Sequence, residues 1–232
     1  NPEFIAQGSI IKDLQNADMV LVGGNGHHVP VIEDIYKKIQ VNEPSIHFMS
    51  TRAAELTKIA VNCYLTTKIS YANQVGQVMI KDGMEDEVDT VLKAIGSDTR
   101  VGTKYLGFGF GFGGPCFPRD NRAFSAYAQQ VGVQNSIGET TDNFNDEHTE
   151  FLVDYYLNKN KDELPFCFKH LTYKAGIDIL TESRPYDLAL RLLDEGYKVY
   201  CTDVPLSLQS QIDDRILIGS PDPEEKVCWI NL

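Results

Sequence analysis

Cys116 is the residue whose neighbours best suit it for covalent chemistry. It follows five glycines that alternate with phenylalanines between Gly107 and Gly114. Glycine lets the backbone adopt conformations closed to other residues, so this segment can lie close against a ligand. Pro118 and the apolar spacing after it predict a helix that begins near the cysteine. The helix dipole, together with Arg119 and Arg122, would stabilise the thiolate, which is the nucleophilic form of cysteine.

Asp120 lies about one helical turn after the cysteine and is a candidate base or hydrogen-bonding partner. A purely structural loop is the first alternative, because unreactive cysteines are common in proteins. A cysteine hydrolase is the second alternative, and it requires a histidine base beside Cys116. The five histidines all lie far from Cys116 in the sequence. A cysteine hydrolase is therefore less favoured than other functions of Cys116, because no histidine lies near it in the sequence.

The composition limits the classes of partner. The 232 residues carry a formal charge of -12 and are 42% hydrophobic, which is typical of a globular protein. Such an acidic chain is a poor partner for nucleic acid or for an anionic membrane surface. Five cysteines without C-x-x-C spacing indicate reduced thiols in a cytoplasmic protein, with neither a disulfide framework nor a metal site. No apolar run approaches membrane-spanning length.

Three regions follow one another along the chain, at 1–49, 50–160 and 161–232. The first has the apolar runs and helical spacing of one β-α-β unit, and the last has those of another. The middle region is predicted to be helical. The first region is predicted to contain strands over 19–22 and 46–49 and a helix over 31–39.

Helix signals are clearest in the middle region. Ser50 or Thr51 can cap a long helix for which Gly83 is the stop. A second helix is predicted over 85–95, ending at Gly96. The last region is predicted to contain a strand over 166–173, a helix from a Ser183 cap to Gly196, and a strand over 198–202.

Four segments, taken together, resemble one enzyme family. G-F-G-F-G-G-P-C-F-P-R-D around Cys116 resembles the catalytic-cysteine motif of the UDP-glucose/GDP-mannose 6-dehydrogenase family, G-F-G-G-x-C-x-x-K-D. The other three segments resemble the family's motifs in the same order: N-P-E-F-I-A-Q-G from Asn1, A-E-L-T-K-I-A-V-N from Ala54, and L-T-Y-K-A-G-I-D-I-L-T-E-S from Leu171. The resemblance implies oxidation of a nucleotide sugar at C6, from alcohol to carboxylate, in two NAD-dependent steps. It also implies a thiohemiacetal and then a thioester on Cys116.

The resemblance also implies a fold class and a domain order. It predicts an α/β protein with a central all-helical domain. Residues 1–49 would be the tail of a Rossmann-like NAD-binding domain, 50–160 a long-helix dimerisation domain with the cysteine loop, and 161–232 a truncated Rossmann-like UDP-binding domain. The G-x-G-x-x-G fingerprint of a dinucleotide site is missing, since Gly23–Gly26 lacks its spacing. Most of the NAD site is therefore expected before Asn1, and this chain alone is expected to be inactive.

The family's catalytic roles transfer to five matching positions. Cys116 would be the nucleophile, and Lys58 with Asn62 would hold the oxyanion of its adduct. Asp120 and Glu3 would activate the water that hydrolyses the thioester. A cation and an amide donor beside a developing oxygen charge suit this chemistry.

Substrate and cofactor contacts are implied at further positions. Arg119 is assigned to the cofactor, and Arg100 is expected to reach the sugar nucleotide of the neighbouring subunit across a homodimer. The residues assigned to the nucleotide-sugar substrate are Phe4, Arg100, Tyr105, Phe112, Gly113, Tyr173 and Lys174.

UDP-glucose is the favoured substrate, because the segment from Leu171 resembles UDP-binding members of the family. Oxidation of GDP-mannose is one alternative. A non-catalytic dimer, or a module that only binds a nucleotide sugar, is another.

Overall fold

The computed structural model describes residues 1–5, 8–134 and 136–232. Ala6 and Gln7 of the first family motif therefore lie outside the described residues. The chain divides into two compact units, residues 1–63 and 64–232. The division into three domains stays a prediction.

The first unit is a small β-α-β structure, as the sequence predicts. Strand β1 pairs in parallel with strand β2, and Val20 and Val22 of β1 pack with Tyr36 of helix α2. The elements are α1 Ile10–Gln15, β1 Met19–Gly23, α2 Val29–Ile39 and β2 Ser45–Met49. Gly23 lies so close to Thr51 that a Cβ atom there would be 2.8 Å from the Thr51 Cα.

A long helix, α3, spans Thr51–Lys81. The Ser50 hydroxyl accepts a hydrogen bond from the Ala53 N–H at 3.2 Å, which is the cap that the sequence predicts. Beyond the helix, Gly83 has φ 77°, a conformation that glycine adopts without strain. The predicted start and stop of this helix are both confirmed.

The other helices of the second unit are α4 Val88–Ser97, α5 Phe117–Gln130, α6 Ile137–Lys159 and α7 Arg184–Asp194. Helix α4 differs from the prediction, because a 3-10 turn over Glu85–Glu87 precedes it and the helix continues through Gly96. A Cβ atom at Gly96 would be 3.1 Å from Thr103. This glycine therefore permits close packing rather than ending the helix.

A parallel four-stranded sheet, in the order β5-β4-β3-β6, forms the last part of the second unit. Its strands are β3 Phe166–Phe168, β4 Val199–Cys201, β5 Leu217–Ile218 and β6 Cys228–Ile230. Leu188 and Leu192 of α7 are fully buried and belong to the same core as Phe166, Phe168 and Leu152. The expected α/β class is confirmed, although strand β3 is shorter than predicted.

The sequence predicts that Ser183 caps α7. Ser183 does occupy the N-cap position, but its side chain forms no capping hydrogen bond. Its hydroxyl donates instead to the Leu171 carbonyl at 2.5 Å. The serine therefore joins the start of α7 to the segment that leaves β3. Among the described residues, none of the helices has the length and apolar character needed to span a membrane.

The glycine-rich segment before Cys116 is held through its backbone. Asn145 of α6 forms two hydrogen bonds with Phe112: its Oδ1 accepts from the Phe112 N–H and its Nδ2 donates to the Phe112 carbonyl, both at 2.9 Å. Asn73 of α3 accepts from the Gly109 N–H at 3.0 Å. His148 of α6 contacts the Gly109 carbonyl through Nε2 at 2.7 Å. Side chains from two helices thus satisfy polar groups that the loop cannot pair internally.

His148 is fully buried, and its neighbours define its protonation. Because a carbonyl can only accept, Nε2 carries the hydrogen and Nδ1 accepts from the Gln77 amide at 2.8 Å. Burial lowers the pKa of His148 to about 4, although the hydrogen bond to Gly109 acts in the opposite direction. The neutral ring is therefore the form that holds the loop.

Replacing Asn145 should destabilise the protein. Asn145→Ala would leave the buried Phe112 N–H without its partner and weaken the bonding of its carbonyl, which Arg184 Nε also contacts at 3.3 Å. We expect a loss of about 2 to 4 kcal/mol in the free energy of unfolding, measured in urea. The control is Asn158→Ala on the same helix, whose exposed side chain donates to the Asp154 carbonyl. Equal losses in the two variants would contradict this account of the loop.

Acid should destabilise the folded state through His148. The unfolded chain binds a proton near pH 6.5, whereas the folded chain binds it near pH 4, so stability falls as the pH is lowered between these values. The pKa difference corresponds to a loss of up to about 3 kcal/mol by pH 4. Unfolding free energies across this range should have a smaller pH slope in His148→Phe than in the wild type. An unchanged slope in His148→Phe would show that this ring is not the source.

Candidate functional site

Cys116 is exposed and occupies the N-cap position of α5. Pro118 lies in the first turn, and the Asp120 N–H donates to the Cys116 carbonyl at 2.9 Å. The thiol therefore lies at the positive end of a helix dipole, as the sequence predicts. An accessible thiol at this position is suited to attack an electrophilic carbon.

Arg119 and Asp120 form an ion pair next to the cysteine. Arg119 Nε and Nη2 donate to Asp120 Oδ1 at 3.0 and 2.9 Å. The pKa of the Arg119 guanidinium is raised, mainly by Asp120 and to a smaller extent by the charge of Cys116. The Asp120 side chain is 6% exposed and that of Arg119 is 64% exposed. Arg119 thus supplies positive charge near the thiol and keeps an accessible surface for an anionic ligand.

Arg122 has a different environment from the one that the sequence predicts. Its guanidinium donates to the Glu182 carboxylate and lies 3.6 Å from Asp142 of α6. Two acidic side chains therefore offset its charge. In this arrangement Arg122 links α5 to the chain just before α7, and Arg119 is the nearer source of positive charge for Cys116.

Tyr173 lies over the glycine turn that leads to Cys116. A Cβ atom at Gly114, which has φ 80°, would be 2.7 Å from the Tyr173 ring. A Cβ atom at Gly113 would collide with the Glu182 carbonyl. The pKa of Tyr173 is raised by burial and by the charge of Cys116. The structure therefore brings together three of the predicted site residues, Cys116, Gly113 and Tyr173.

The other predicted substrate residues of the second unit differ in their exposure to solvent. The Phe112 side chain is buried, whereas Lys174 is exposed on the segment that leaves β3. Tyr105 is exposed, has φ 61°, and packs edge-to-face against Phe117, with ring centroids 6.4 Å apart. A strained aromatic residue thus lies against the residue that follows Cys116.

Arg100 is held by a neighbour in the same loop. Its backbone N–H and Nε donate to Asp98 Oδ1 at 2.9 and 3.0 Å, and Nη2 donates to Oδ2 at 2.6 Å. The Arg100 side chain is 87% exposed. Lys68 of α3 donates to the Val101 and Gly102 carbonyls, which fixes the same loop.

Four predicted site residues belong to the first unit: Glu3, Phe4, Lys58 and Asn62. The Lys58 ammonium lies over the Phe4 ring, 4.7 Å from its centroid. A cation in this position is attracted by the electrons of the ring face. Glu3 is exposed and Asn62 is buried. The structure thus pairs a predicted catalytic residue with a predicted substrate residue.

A cavity of about 300 Å³ opens at the carboxyl ends of β3 and β4. Ligands of parallel α/β sheets bind outside this edge. Two carboxylates, Asp178 and Asp203, line this cavity together with Thr172 and Ser207. Carboxylates accept hydrogen bonds from hydroxyl groups and repel phosphates, so this lining favours a ligand with hydroxyl groups. Within the described residues, no cluster of His, Cys, Asp or Glu side chains could hold a metal ion.

The side chains that hold the site are not predicted from the sequence. Asn73, Asn145 and His148 bond the glycine loop, and Glu182 binds Arg122. The sequence does indicate that such partners are needed, because a glycine-rich backbone has many polar groups that require hydrogen bonds. Nothing in the sequence spacing identified which residues those partners are.

Three comparisons place the chain among known proteins. Residues 52–147 match the model of the UDP-glucose/GDP-mannose dehydrogenase family, central domain. The UDP-glucose 6-dehydrogenase of Rickettsia bellii is 30% identical, over 90% of this chain and 49% of its own length. That of Drosophila melanogaster is 32% identical, over 98% of this chain and 49% of its own length. The chain therefore spans about half the length of the curated relatives it matches.

A solved structure gives the same result for the fold. The UDP-glucose dehydrogenase of the hyperthermophilic archaeon Pyrobaculum islandicum superimposes with a TM-score of 0.83 at 31% identity, over 96% of this chain and 51% of that one. Sequence relatives and a solved structure thus agree over nearly the whole chain. Residues 52–147 therefore belong to the UDP-glucose/GDP-mannose dehydrogenase family, central domain, and nearly the whole chain is similar to enzymes named UDP-glucose 6-dehydrogenase.

Proposed function

We propose that the protein containing this chain oxidises a nucleotide sugar at C6 to the uronic acid, with UDP-glucose as substrate and NAD as cofactor. The observation that carries the proposal is the exposed Cys116 at the start of α5, with Arg119 beside it. The name UDP-glucose 6-dehydrogenase, shared by the relatives, supports the choice of sugar nucleotide.

The thiol allows one site to carry out both oxidations. The first oxidation removes a hydride and a proton from the C6 alcohol and leaves an aldehyde. The Cys116 thiolate adds to the aldehyde carbon to form a thiohemiacetal, and loss of a second hydride and proton gives a thioester. Water then adds to the thioester, the C–S bond breaks, and the carboxylate leaves with Cys116 restored as a thiolate. Covalent attachment keeps the aldehyde in the site between the two oxidations.

The remaining residues have roles that follow from their chemistry. Lys58 and Asn62 would donate hydrogen bonds to the oxyanion of the cysteine adduct. Glu3 and Asp120 would accept the proton of the attacking water. Asp120 already accepts two hydrogen bonds from Arg119, which hold its carboxylate beside the start of α5.

NAD, when bound, supplies the hydride acceptor for both oxidations. Arg119 fits a contact with the anionic pyrophosphate of this cofactor, because its guanidinium is largely exposed despite the pair with Asp120. Lys174 is exposed near Tyr173 and is suited to the phosphates of the sugar nucleotide. The Tyr173 ring and the Gly113 backbone would border the sugar.

The proposal includes a homodimer in which Arg100 reaches the partner's substrate. Exposed apolar side chains recur every seven residues along α3, at Tyr64, Tyr71 and Val78. Seven residues correspond to about two helical turns, so the three side chains share one face. An apolar stripe of this kind supports contact with a second copy of the chain. The high exposure of Arg100 leaves it free to turn from Asp98 toward a ligand.

Cys116→Ser should abolish acid formation in the natural full-length protein. Serine cannot form the thioester, so we expect the rate of uronic acid formation from UDP-glucose to fall by at least about a thousandfold. The measurement is chromatography of the products. Cys228→Ser, which alters a partly buried thiol on β6, is the matched control and should keep the wild-type rate. Acid formation at the wild-type rate by Cys116→Ser would rule out the proposed mechanism.

Tyr71→Glu should weaken the dimer. A charge in the apolar face of α3 would be buried in the contact without a partner, so the variant should shift from dimer to monomer mass. Light scattering during gel filtration measures this change. Ala126→Glu adds the same charge at an exposed position of α5 and should leave the mass unchanged. A Tyr71→Glu protein that remains dimeric would show that this face is not the interface.

A further inference from the structure

The turn formed by Thr181 and Glu182 contacts the chain on both sides of Cys116. On the side before the cysteine, the Gly114 N–H donates to the Thr181 carbonyl at 3.1 Å. The Glu182 carbonyl lies so close to Gly113 that no side chain fits there. The two residues that lead to Pro115 and Cys116 are therefore pressed against this turn.

On the side after the cysteine, the contact is an ion pair. The Glu182 carboxylate accepts hydrogen bonds from Arg122, which follows Cys116 by about two turns of α5. Arg122 also lies 3.6 Å from Asp142. Glu182 is the main cause of the raised pKa of Arg122, ahead of Asp142. Burial raises the pKa of Asp142, whereas Arg122 acts to lower it.

The backbone of Glu182 is strained. Its φ is 49°, in the left-handed region where glycine is favoured over residues with a side chain. Glycine would relieve this strain, but it would provide no carboxylate for Arg122. Strained backbone persists where surrounding contacts fix it, and it is frequent at functional sites.

We propose that Glu182 is a positioning residue for Cys116. Its backbone packs against Gly113, next to the hydrogen bond from Gly114 to Thr181, and its carboxylate holds α5 after the cysteine through Arg122. The thiol is thus held between two contacts made by one residue of the connection from β3 to α7. The effect on catalysis rests on the proposed function, whereas the effect on the backbone around Cys116 does not.

Two variants separate the side chain from the backbone. Glu182→Gln removes the charge and keeps a side chain at the strained position, whereas Glu182→Gly removes both the carboxylate and the strain. The matched control is Glu150→Gln, which breaks another ion pair of the second unit, between Glu150 of α6 and Arg191 of α7.

The first measurement is hydrogen exchange at the Gly114 amide and the first-turn amides of α5, in the 232-residue chain. We expect exchange to become about tenfold faster in both Glu182 variants and to stay unchanged in Glu150→Gln. The second measurement is turnover by the natural full-length protein. There kcat should fall about tenfold in both variants with KM within about twofold of wild type, because a displaced nucleophile slows chemistry more than binding.

Thermal unfolding distinguishes positioning from general stabilisation. Glu182→Gly should keep a Tm within about 2 °C of wild type, since relief of strain offsets the lost ion pair, and it should still lose turnover. Wild-type exchange around Cys116 in both Glu182 variants would overturn the proposal. Turnover losses that simply follow Tm in all variants would overturn it too. If the wild-type enzyme produced no acid, the proposed function would fail, and the exchange measurement alone would decide the role of Glu182.

Discussion

The backbone polar groups of the glycine-rich segment must find partners, and this constraint determines the geometry around Cys116. The phenylalanines of the segment pack into the core, but the glycines between them contribute no side chains, so packing alone does not fix the backbone. Asn73, Asn145 and His148 supply the missing partners from two helices. The position of the Cys116 thiol therefore depends on three buried side chains of α3 and α6.

Two close contacts of the glycine-rich segment with the helices leave no room for a side chain at the glycines involved. A Cβ atom at Gly111 would collide with the Asn145 amide, and one at Gly76 of α3 would collide with the Phe108 ring. The loop can thus approach α6 only because residue 111 of the loop is glycine, and it can approach α3 only because residue 76 of the helix is glycine. Once the loop lies there, the Phe112 peptide can form both of its hydrogen bonds with one asparagine.

The surface near the cysteine carries an exposed positive charge, although the chain as a whole is acidic. With a formal charge of -12, the protein repels anions at long range, yet Arg119 keeps an exposed guanidinium near the thiol. Arg122, only three residues away, is bound by Glu182 and Asp142. One arginine is thus available to a ligand, whereas the other has a structural contact.

Local signals predicted the parts of the fold that depend on local physics. The Ser50 cap, the Gly83 stop and the buried face of α7 were all readable from the sequence, because each depends on residues within a few turns. Strands β5 and β6 were not predicted, because two or three residues are too few to show a period. The partners of the glycine loop could not be predicted, since an asparagine in a helix gives no indication of the backbone that it binds. Motif resemblance located Cys116, but only the structure separated the environments of Arg119 and Arg122.

In the proposed mechanism, a single thiol site carries out two successive oxidations of one sugar. The most direct test is to count the NADH formed per molecule of UDP-glucose consumed by the natural full-length protein, with GDP-mannose as the comparison substrate. The account predicts two NADH for each UDP-glucose, with UDP-glucuronate as the product and no free aldehyde. One NADH per sugar with release of the aldehyde, or binding of UDP-glucose without any NADH, would contradict it.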